Sequence, residues 1–264
     1  MSDGHSTTIL NLLLTVEPGR DDTLTGTAAA DVLSGAAGHD AIHGLGSADR
    51  LNGGTGNDRL FVGDGNDLLA GGTGADGLDG GRGTGIADYR TSTTPITLSL
   101  VEGAVNGGGA AGDVLVSVEG ANGTAGDDCI TGDAARNDLR GGRGNDWLDG
   151  GAGRDTLSGG GGADTFVFAT APGADGPDRI TDFTSGVDSI LLYREAFGGL
   201  DTAIADGQLV LGTIAVDADD WLILDATTGR LFQDPDGTGA LAQVLIGQFQ
   251  PGVAITAGDV VLIG

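Results

Sequence analysis

Aspartate recurs at every ninth residue in two stretches of the chain. The first stretch holds Asp22, Asp31, Asp40, Asp49, Asp58, Asp67 and Asp76. The second stretch, with an asparagine in one slot, holds Asp128, Asn137, Asp146, Asp155 and Asp164. Rows of carboxylates repel one another unless a cation lies between them, and carboxylate oxygens are hard ligands suited to Ca²⁺. The spacing therefore predicts calcium binding.

Each aspartate follows a turn-forming segment and precedes a short apolar one. The segments GGTGNDRLF (53–61) and GGTGADGLD (71–79) show this most completely. Their first six residues favour turns, because glycine reaches positive φ at no steric cost. The last three suit a short strand whose central apolar residue points inward. Two such nonapeptides form one coil of 18 residues, and successive coils stack about 4.8 Å apart as parallel strands.

Turns that stack directly on one another are therefore two repeats apart. One column contains Asp22, Asp40, Asp58 and Asp76, and the other contains Asp31, Asp49, Asp67 and Gly85. Ions are expected between stacked members, at seven pairs: 22/40, 31/49, 40/58, 49/67, 58/76, 128/146 and 146/164. Asn137 and Asp155 form a weaker eighth pair, because the Asn137 side chain can offer an oxygen ligand but carries no charge.

The alternative for each aspartate is a turn stabiliser that binds no metal, in which the side chain accepts a hydrogen bond from its own turn. The fixed spacing favours the metal interpretation. The interpretation as a turn stabiliser is stronger at the turns GTAAAD (26–31) and GDAARN (132–137), which lack most of the glycines of the repeat. Asp31 and Asn137 are therefore the poorer candidates.

The nonapeptide resembles the repeats-in-toxin (RTX) family, whose repeat is G-G-x-G-x-D-x-U-x with U a large apolar residue. The resemblance covers residues 19–85 and 123–168. It implies an all-β fold, a right-handed parallel β-roll with two repeats per coil that is stacked on calcium, with seven or eight ions. It also implies that each ion takes one aspartate and two backbone carbonyls from each of two stacked turns.

Carried over to this chain, the resemblance implies two best-formed sites. The ligands of the first are Asp58, Asp76 and the carbonyls of Gly54, Gly56, Gly71 and Thr73. The ligands of the second are Asp146, Asp164 and the carbonyls of Gly142, Gly144, Gly159 and Gly161.

Five segments are expected. Residues 1–18 lead into a first roll block at 19–85, and residues 86–122 form an insert whose strands continue the roll. A second roll block covers 123–168, and residues 169–264 form a β-rich cap that ends in GDVVLIG, which resembles the uncleaved signal of type I secretion. Asp3, and the absence of a basic residue before the apolar run 9–16, argue against a cleaved N-terminal signal.

Composition excludes several classes of protein. The 264 residues include 53 glycines and carry a formal net charge of −26, and all 12 basic residues are arginine. Without lysine there is no P-loop and no Schiff-base chemistry, and the charge repels nucleic acid and anionic membranes. The single cysteine, Cys129, rules out an intrachain disulfide. His39 and His43 have the spacing of the zinc-protease motif H-E-x-x-H. That motif requires a helix that places both histidines on one face, whereas this segment is expected to form a repeat.

The expected function is that of a secreted, extracellular or cell-surface protein that is not an enzyme. Its roll would fold on binding Ca²⁺ after the chain leaves the cell through a type I exporter. The sequence does not identify a cell-surface or matrix partner. One alternative is the calcium-binding module of an RTX protease or lipase. The segment before the first repeat, 1–18, is too short for a catalytic domain, and Met1 favours a stand-alone protein. The other alternative is a membrane-active protein. The sequence argues against it, because the chain has no apolar run long enough to enter a membrane.

Overall fold

The computed structural model describes residues 13–16, 19–173, 176–197, 204, 207–217, 220–236 and 242–264. Asp3 and the first half of the N-terminal apolar run, residues 9–12, lie outside these residues. Within these residues the chain is all-β apart from two short helical segments, and it divides into two compact units. The first unit comprises Met1–Asp88 with Ala110–Val118, and the second comprises Tyr89–Gly109 with Glu119–Gly264.

The strands of the first half of the chain are short and closely spaced. In chain order they are β1 (Leu13–Thr15), β2 (Thr23–Thr25), β3 (Val32–Ser34), β4 (Ala41–His43), β5 (Arg50–Thr55), β6 (Arg59–Phe61), β7 (Asp64–Thr73), β8 (Gly77–Asp79), β9 (Arg82–Asp88), β10 (Ile96–Ser99), β11 (Gly107–Gly108) and β12 (Val114–Val116).

The second half continues with further strands toward the C-terminus. These are β13 (Gly120–Asn122), β14 (Cys129–Thr131), β15 (Asp138–Arg143), β16 (Trp147–Asp149), β17 (Thr156–Gly161), β18 (Thr165–Phe168), β19 (Asp178–Ile180), β20 (Ser189–Tyr193), α1 (Arg194–Phe197), β21 (Leu209–Leu211), β22 (Leu222–Asp225), β23 (Arg230–Gln233), β24 (Val244–Gln248), a 3₁₀ turn (Ala257–Asp259) and β25 (Val260–Ile263).

The first unit is a parallel β-roll. One sheet has the strand order β1-β3-β5-β7-β9 and the other has β2-β4-β6-β8-β12. Within the repeats each strand pairs with the strand two repeats later, so that Leu33 lies opposite Leu51 and Leu60 opposite Leu78. The apolar residues that follow the aspartates are almost fully buried: Leu24, Leu33, Ile42, Leu51, Leu60, Leu69 and Leu78. Both sheets therefore share one thin apolar ladder, as the repeat predicts.

The second unit begins with the same architecture and changes it toward its end. Its sheets have the orders β13-β15-β17-β19-β24-β23-β22-β21 and β11-β10-β14-β16-β18-β20-β25. Ile130 pairs with Leu148 and Leu139 with Leu157, again two repeats apart. The predicted three strands at 221–249 are present as β22, β23 and β24, which pair antiparallel.

The segment between the repeat blocks contributes parallel strands to both units. In the first unit β12 pairs with β8, placing Leu115 opposite Leu78. In the second unit β10 pairs with β14, placing Leu98 opposite Ile130. The alternating apolar residues that predict strands here are thus used for roll-type pairing. Parallel pairing also extends beyond residue 168, because β19 pairs with β17 and β20 with β18.

Candidate calcium sites

The aspartates stack at the predicted interval of two repeats. In the first column the backbone N–H of Asp22 donates to Asp40 Oδ1, that of Asp40 to Asp58 Oδ1, and that of Asp58 to Asp76 Oδ1, each at 2.8 Å. The same bond joins the pairs 31/49, 49/67, 128/146, 137/155 and 146/164 at 2.7–2.9 Å. One oxygen of each acceptor therefore fixes the distance between neighbouring turns.

The second carboxylate oxygen of many of these residues is buried without a partner. Among the described residues, Oδ2 has no hydrogen bond in seven column aspartates, each of them at most 2% exposed: Asp40, Asp49, Asp58, Asp67, Asp76, Asp146 and Asp155. Burying an unpaired carboxylate oxygen is costly unless a cation or a hydrogen bond compensates. The regular recurrence of this atom therefore fits a column that is built to hold cations.

In several turns the first residue is a glycine that has two oxygen atoms close to where a β-carbon would be. A β-carbon on Gly44 would contact Asp49 Oδ2 and lie 2.8 Å from the carbonyl oxygen of Val62, which belongs to the turn stacked next to it. At Gly53 the corresponding atoms are Asp58 Oδ2 and the Gly71 carbonyl. Oxygen atoms from two stacked turns therefore lie close together here, and an all-oxygen donor set suits Ca²⁺.

The predicted carbonyl ligands of the first site all lie between its two turns. The carbonyl oxygens of Gly54 and Gly56 face the next turn at Gly72 and Gly74. The Gly71 carbonyl faces Gly53, and the Thr73 carbonyl accepts the Gly56 N–H at 2.8 Å. Asp58 and Asp76 complete the set, whose role as ligands stays a prediction.

The second best-formed site has a similar arrangement. The carbonyl oxygens of Gly142 and Gly144 face Gly160 and Gly162 of the next turn, and the Gly161 carbonyl accepts the Gly144 N–H at 2.9 Å. The β-carbon position of Gly159 is taken up by Asp164 Oδ2. Asp146 supplies the other carboxylate.

Several of the column carboxylates hold their protons clearly more tightly than free aspartate does. Burial, and then the neighbouring carboxylates, raise the pKa of Asp49 and Asp76 to about 6 and that of Asp146 to about 7. Burial and the charge of Asp178 raise the pKa of Asp155 to about 7. The backbone N–H bonds oppose these shifts only in part. A divalent cation in the column would reverse them, because it stabilises the ionised form.

These shifts predict how the calcium-free chain depends on pH. The pKa values of these carboxyls in the folded chain, about 6–7, lie above the unfolded value of 3.8. The carboxyls therefore stabilise the roll below about pH 4, and that contribution is lost as pH rises through about 6–7. In chelator, circular dichroism should therefore show more β-structure near pH 4 than near pH 7.5. Calcium affinity should fall as pH is lowered through the same range, because protons compete for the oxygens.

An Asp146→Asn variant serves as the control, because it removes one of the most strongly shifted carboxyls. It should show a shallower pH dependence than the unaltered chain. A chelator-treated chain whose β-signal is the same at both pH values would contradict the electrostatic account of the columns.

Three aspartates that the nine-residue step misses extend the columns. Asp76 N–H donates to Asp113 Oδ1 at 2.9 Å, Asp155 N–H to Asp178 Oδ1 at 2.9 Å, and Asp164 N–H to Asp188 Oδ1 at 3.0 Å. Insertions change the interval to 37, 23 and 24 residues, which hides them from a fixed step. The sequence signal that could have found these three aspartates is a degenerate repeat, in which a glycine lies shortly before the aspartate and an apolar residue lies two positions after it. Gly85, by contrast, lies opposite Asp67 as predicted.

The two histidines of the zinc-like pair have separate structural roles. His39 Nδ1 accepts the N–H of Asn57 at 2.7 Å, and Asn57 Oδ1 accepts that of Ala75 at 3.0 Å, which forms a second ladder on the turns. His43 instead stacks on Phe61 with ring centroids 4.9 Å apart. Within the described ranges, no three His, Cys, Asp or Glu side chains converge as a metal-binding group.

Comparison with known proteins identifies the repeat. The RTX calcium-binding nonapeptide repeat matches in four copies, at residues 19–51, 52–87, 121–147 and 131–166. The chain belongs to the RTX family, and its fold is the parallel β-roll of that family. No curated protein matches the chain.

Two solved structures illustrate the range of similar proteins. The AlgE6R3 subunit of the mannuronan C5-epimerase of Azotobacter vinelandii is 32% identical, with 54% of this chain and 76% of that chain covered and a TM-score of 0.35. The extracellular lipase LipA of Serratia marcescens is 18% identical, with 94% of this chain and 41% of that chain covered and a TM-score of 0.26. In the part of the chain that is described, no helix has the length and apolar character to cross a membrane.

Proposed function

We propose that this protein is a secreted calcium-binding protein whose β-roll folds when Ca²⁺ enters the aspartate columns. The observation that carries the proposal is the row of buried Oδ2 atoms that lack a hydrogen-bond partner within the described residues. A calcium ion bound there supplies the positive charge that the columns need. The chain's residues supply the rest, as carboxylates and turn carbonyls held at a fixed separation by the N–H···Oδ1 bonds.

Folding without the ion is unfavourable for two reasons. Each nonapeptide buries one large apolar residue, which returns much less free energy than ordering nine backbone residues costs. The columns also bring carboxylates of like charge within one coil of each other. Calcium binding therefore supplies folding free energy, as it does in other domains whose metal site is absent from the unfolded chain.

This coupling suits export of an unfolded chain. Extracellular calcium modules have Kd values of about 10⁻⁴–10⁻³ M, well above the free calcium of a cytosol. The chain would stay unfolded inside the cell, pass a type I exporter led by its C-terminus, and fold outside. We propose that the region after residue 168 carries this signal and caps the roll.

A crystal structure of the calcium-loaded protein tests where the ions lie. We expect anomalous-difference peaks between turns two repeats apart, at the five pairs of the first block and at 128/146 and 146/164, with a lower peak at 137/155. Peaks between aspartates of adjacent repeats, or no peaks between stacked turns, would overturn the proposal.

The alternative is that the chain is the calcium-binding module of a larger enzyme. The strands of the described residues all belong to roll-type sheets or to their antiparallel extension, which is the make-up expected of such a module. The two functions differ in the size of the native protein, which an immunoblot of the source cells and medium measures. A band near 26.0 kDa supports the stand-alone protein, and a much larger band supports the module.

A further inference from the structure

In four of the described turns the column residue accepts a hydrogen bond from its own turn. The donor is always the N–H of the second turn residue, four positions before the acceptor. Thr27 donates to Asp31 Oδ2 at 2.5 Å, Thr124 to Asp128 Oδ2 at 2.5 Å, Thr184 to Asp188 Oδ2 at 2.7 Å, and Asp133 to Asn137 Oδ1 at 2.9 Å. In these turns the oxygen that could face an ion is already engaged.

The seven aspartates with an unpartnered Oδ2 follow a different second residue. In every one of these turns that residue has a positive φ: Ala36 (70°), Leu45 (85°), Gly54 (110°), Gly63 (88°), Gly72 (105°), Gly142 (118°) and Gly151 (83°). None of Thr27, Thr124, Asp133 and Thr184 has a positive φ. The direction of the second N–H and the state of the carboxylate therefore change together.

In two of these seven turns the residue with the positive φ is not glycine. Ala36 and Leu45 occupy the left-handed region, which is strained for residues with a β-carbon. The Leu45 side chain is 52% exposed, so core packing does not account for its conformation. Strained backbone that the surrounding structure maintains is typical of functional positions.

We propose that the second residue of each turn sorts the column positions into open sites, which take calcium readily, and capped sites, which take it only after their own N–H is displaced. This inference rests on the proposed function. The capped residues are Asp31, Asp128, Asn137 and Asp188. Pairs that contain one of them should fill at higher calcium than pairs such as 40/58 and 58/76, which contain none.

The test opens a capped site and closes an open one in the full chain. Thr124→Gly permits a positive φ and frees Asp128, whereas the control Thr124→Ala also lacks the hydroxyl but keeps the capping N–H. Equilibrium dialysis with radioactive calcium counts the ions bound at each free concentration. We expect Thr124→Gly to move one ion from the weaker to the tighter class, about a tenfold gain in affinity (about 1.4 kcal/mol). Thr124→Ala should leave the tight class unchanged.

The reverse variant keeps the proposal testable if Thr124→Gly does not fold. Leu45→Thr places a β-branched residue where φ is positive, which such residues strongly disfavour, and Leu45→Gly is its control. We expect Leu45→Thr to lose one ion from the tight class and Leu45→Gly to keep it. Identical isotherms within each pair of variants would overturn the sorting. An unaltered chain that binds no calcium would instead overturn the proposed function.

Discussion

Replacing Asp58 with asparagine should weaken calcium binding far more than replacing Asp22. Asp58 belongs to the pairs 40/58 and 58/76, it is 1% exposed, and its Oδ2 has no partner among the described residues. Asparagine keeps an oxygen that can accept the Asp40 N–H, so the variant removes charge while sparing the link between turns. Because calcium affinity follows the ligand charge, we expect a loss of about tenfold or more at each of two sites.

Asp22→Asn is the matched control, because Asp22 serves only the pair 22/40. Isothermal titration calorimetry of both variants gives the number and affinity of the ions. Asp22→Asn should affect one site and leave the others near their original affinity. If both variants lose calcium binding equally, the idea that interior aspartates serve two ions is wrong.

Replacing Gly72 with alanine should destabilise the first roll block strongly even at saturating calcium. Gly72 has a φ of 105°, and its β-carbon would contact the carbonyl group of Gly54 in the neighbouring turn. The contacted atoms are backbone, so the coil cannot relieve the overlap by rotating a side chain. We expect a loss of more than about 3 kcal/mol in the free energy of unfolding, from the clash and the left-handed conformation together.

Gly46→Ala is the control for this variant. Gly46 is also a turn residue, but its φ is not positive and its β-carbon would lie 3.6 Å from the nearest atom, the carbonyl oxygen of Asp64. Urea denaturation in saturating calcium should show that this substitution is tolerated. An unfolding midpoint for Gly72→Ala equal to that of Gly46→Ala would show that the turns are not packed as closely as described.

The spacing of the aspartates is enough to predict the stacking of the turns. Two nonapeptides, each with one inward apolar residue, are expected to form one coil, which predicts that Asp40 stacks with Asp58. The hydrogen bond from the Asp40 N–H to Asp58 Oδ1 confirms this pairing. The weakness of the turns at 26–31 and 132–137 is also visible in the sequence, because residues other than glycine occupy their second and fourth positions. Their column residues, Asp31 and Asn137, accept hydrogen bonds from their own turns.

Two features could not be predicted from the repeat alone. Asp113, Asp178 and Asp188 enter the columns after insertions, and the length of an insertion does not reveal where the chain resumes the coil. The turns at 35–40 and 44–49 also lack glycine at the second position, yet Ala36 and Leu45 adopt positive φ there. Local preference opposes that conformation, so the stacking of neighbouring coils must impose it.

Far-ultraviolet circular dichroism of the full chain, first in EDTA and then in millimolar calcium near pH 7.5, measures whether calcium drives folding of the roll. We expect little β-structure in EDTA, because the carboxylates of the columns repel one another and the apolar ladder is thin. Calcium should then produce a cooperative gain of β-signal and a melting transition that rises with calcium concentration. A cooperative β-signal already present in EDTA, with neither the signal nor the melting temperature changed by calcium, would contradict calcium-driven folding.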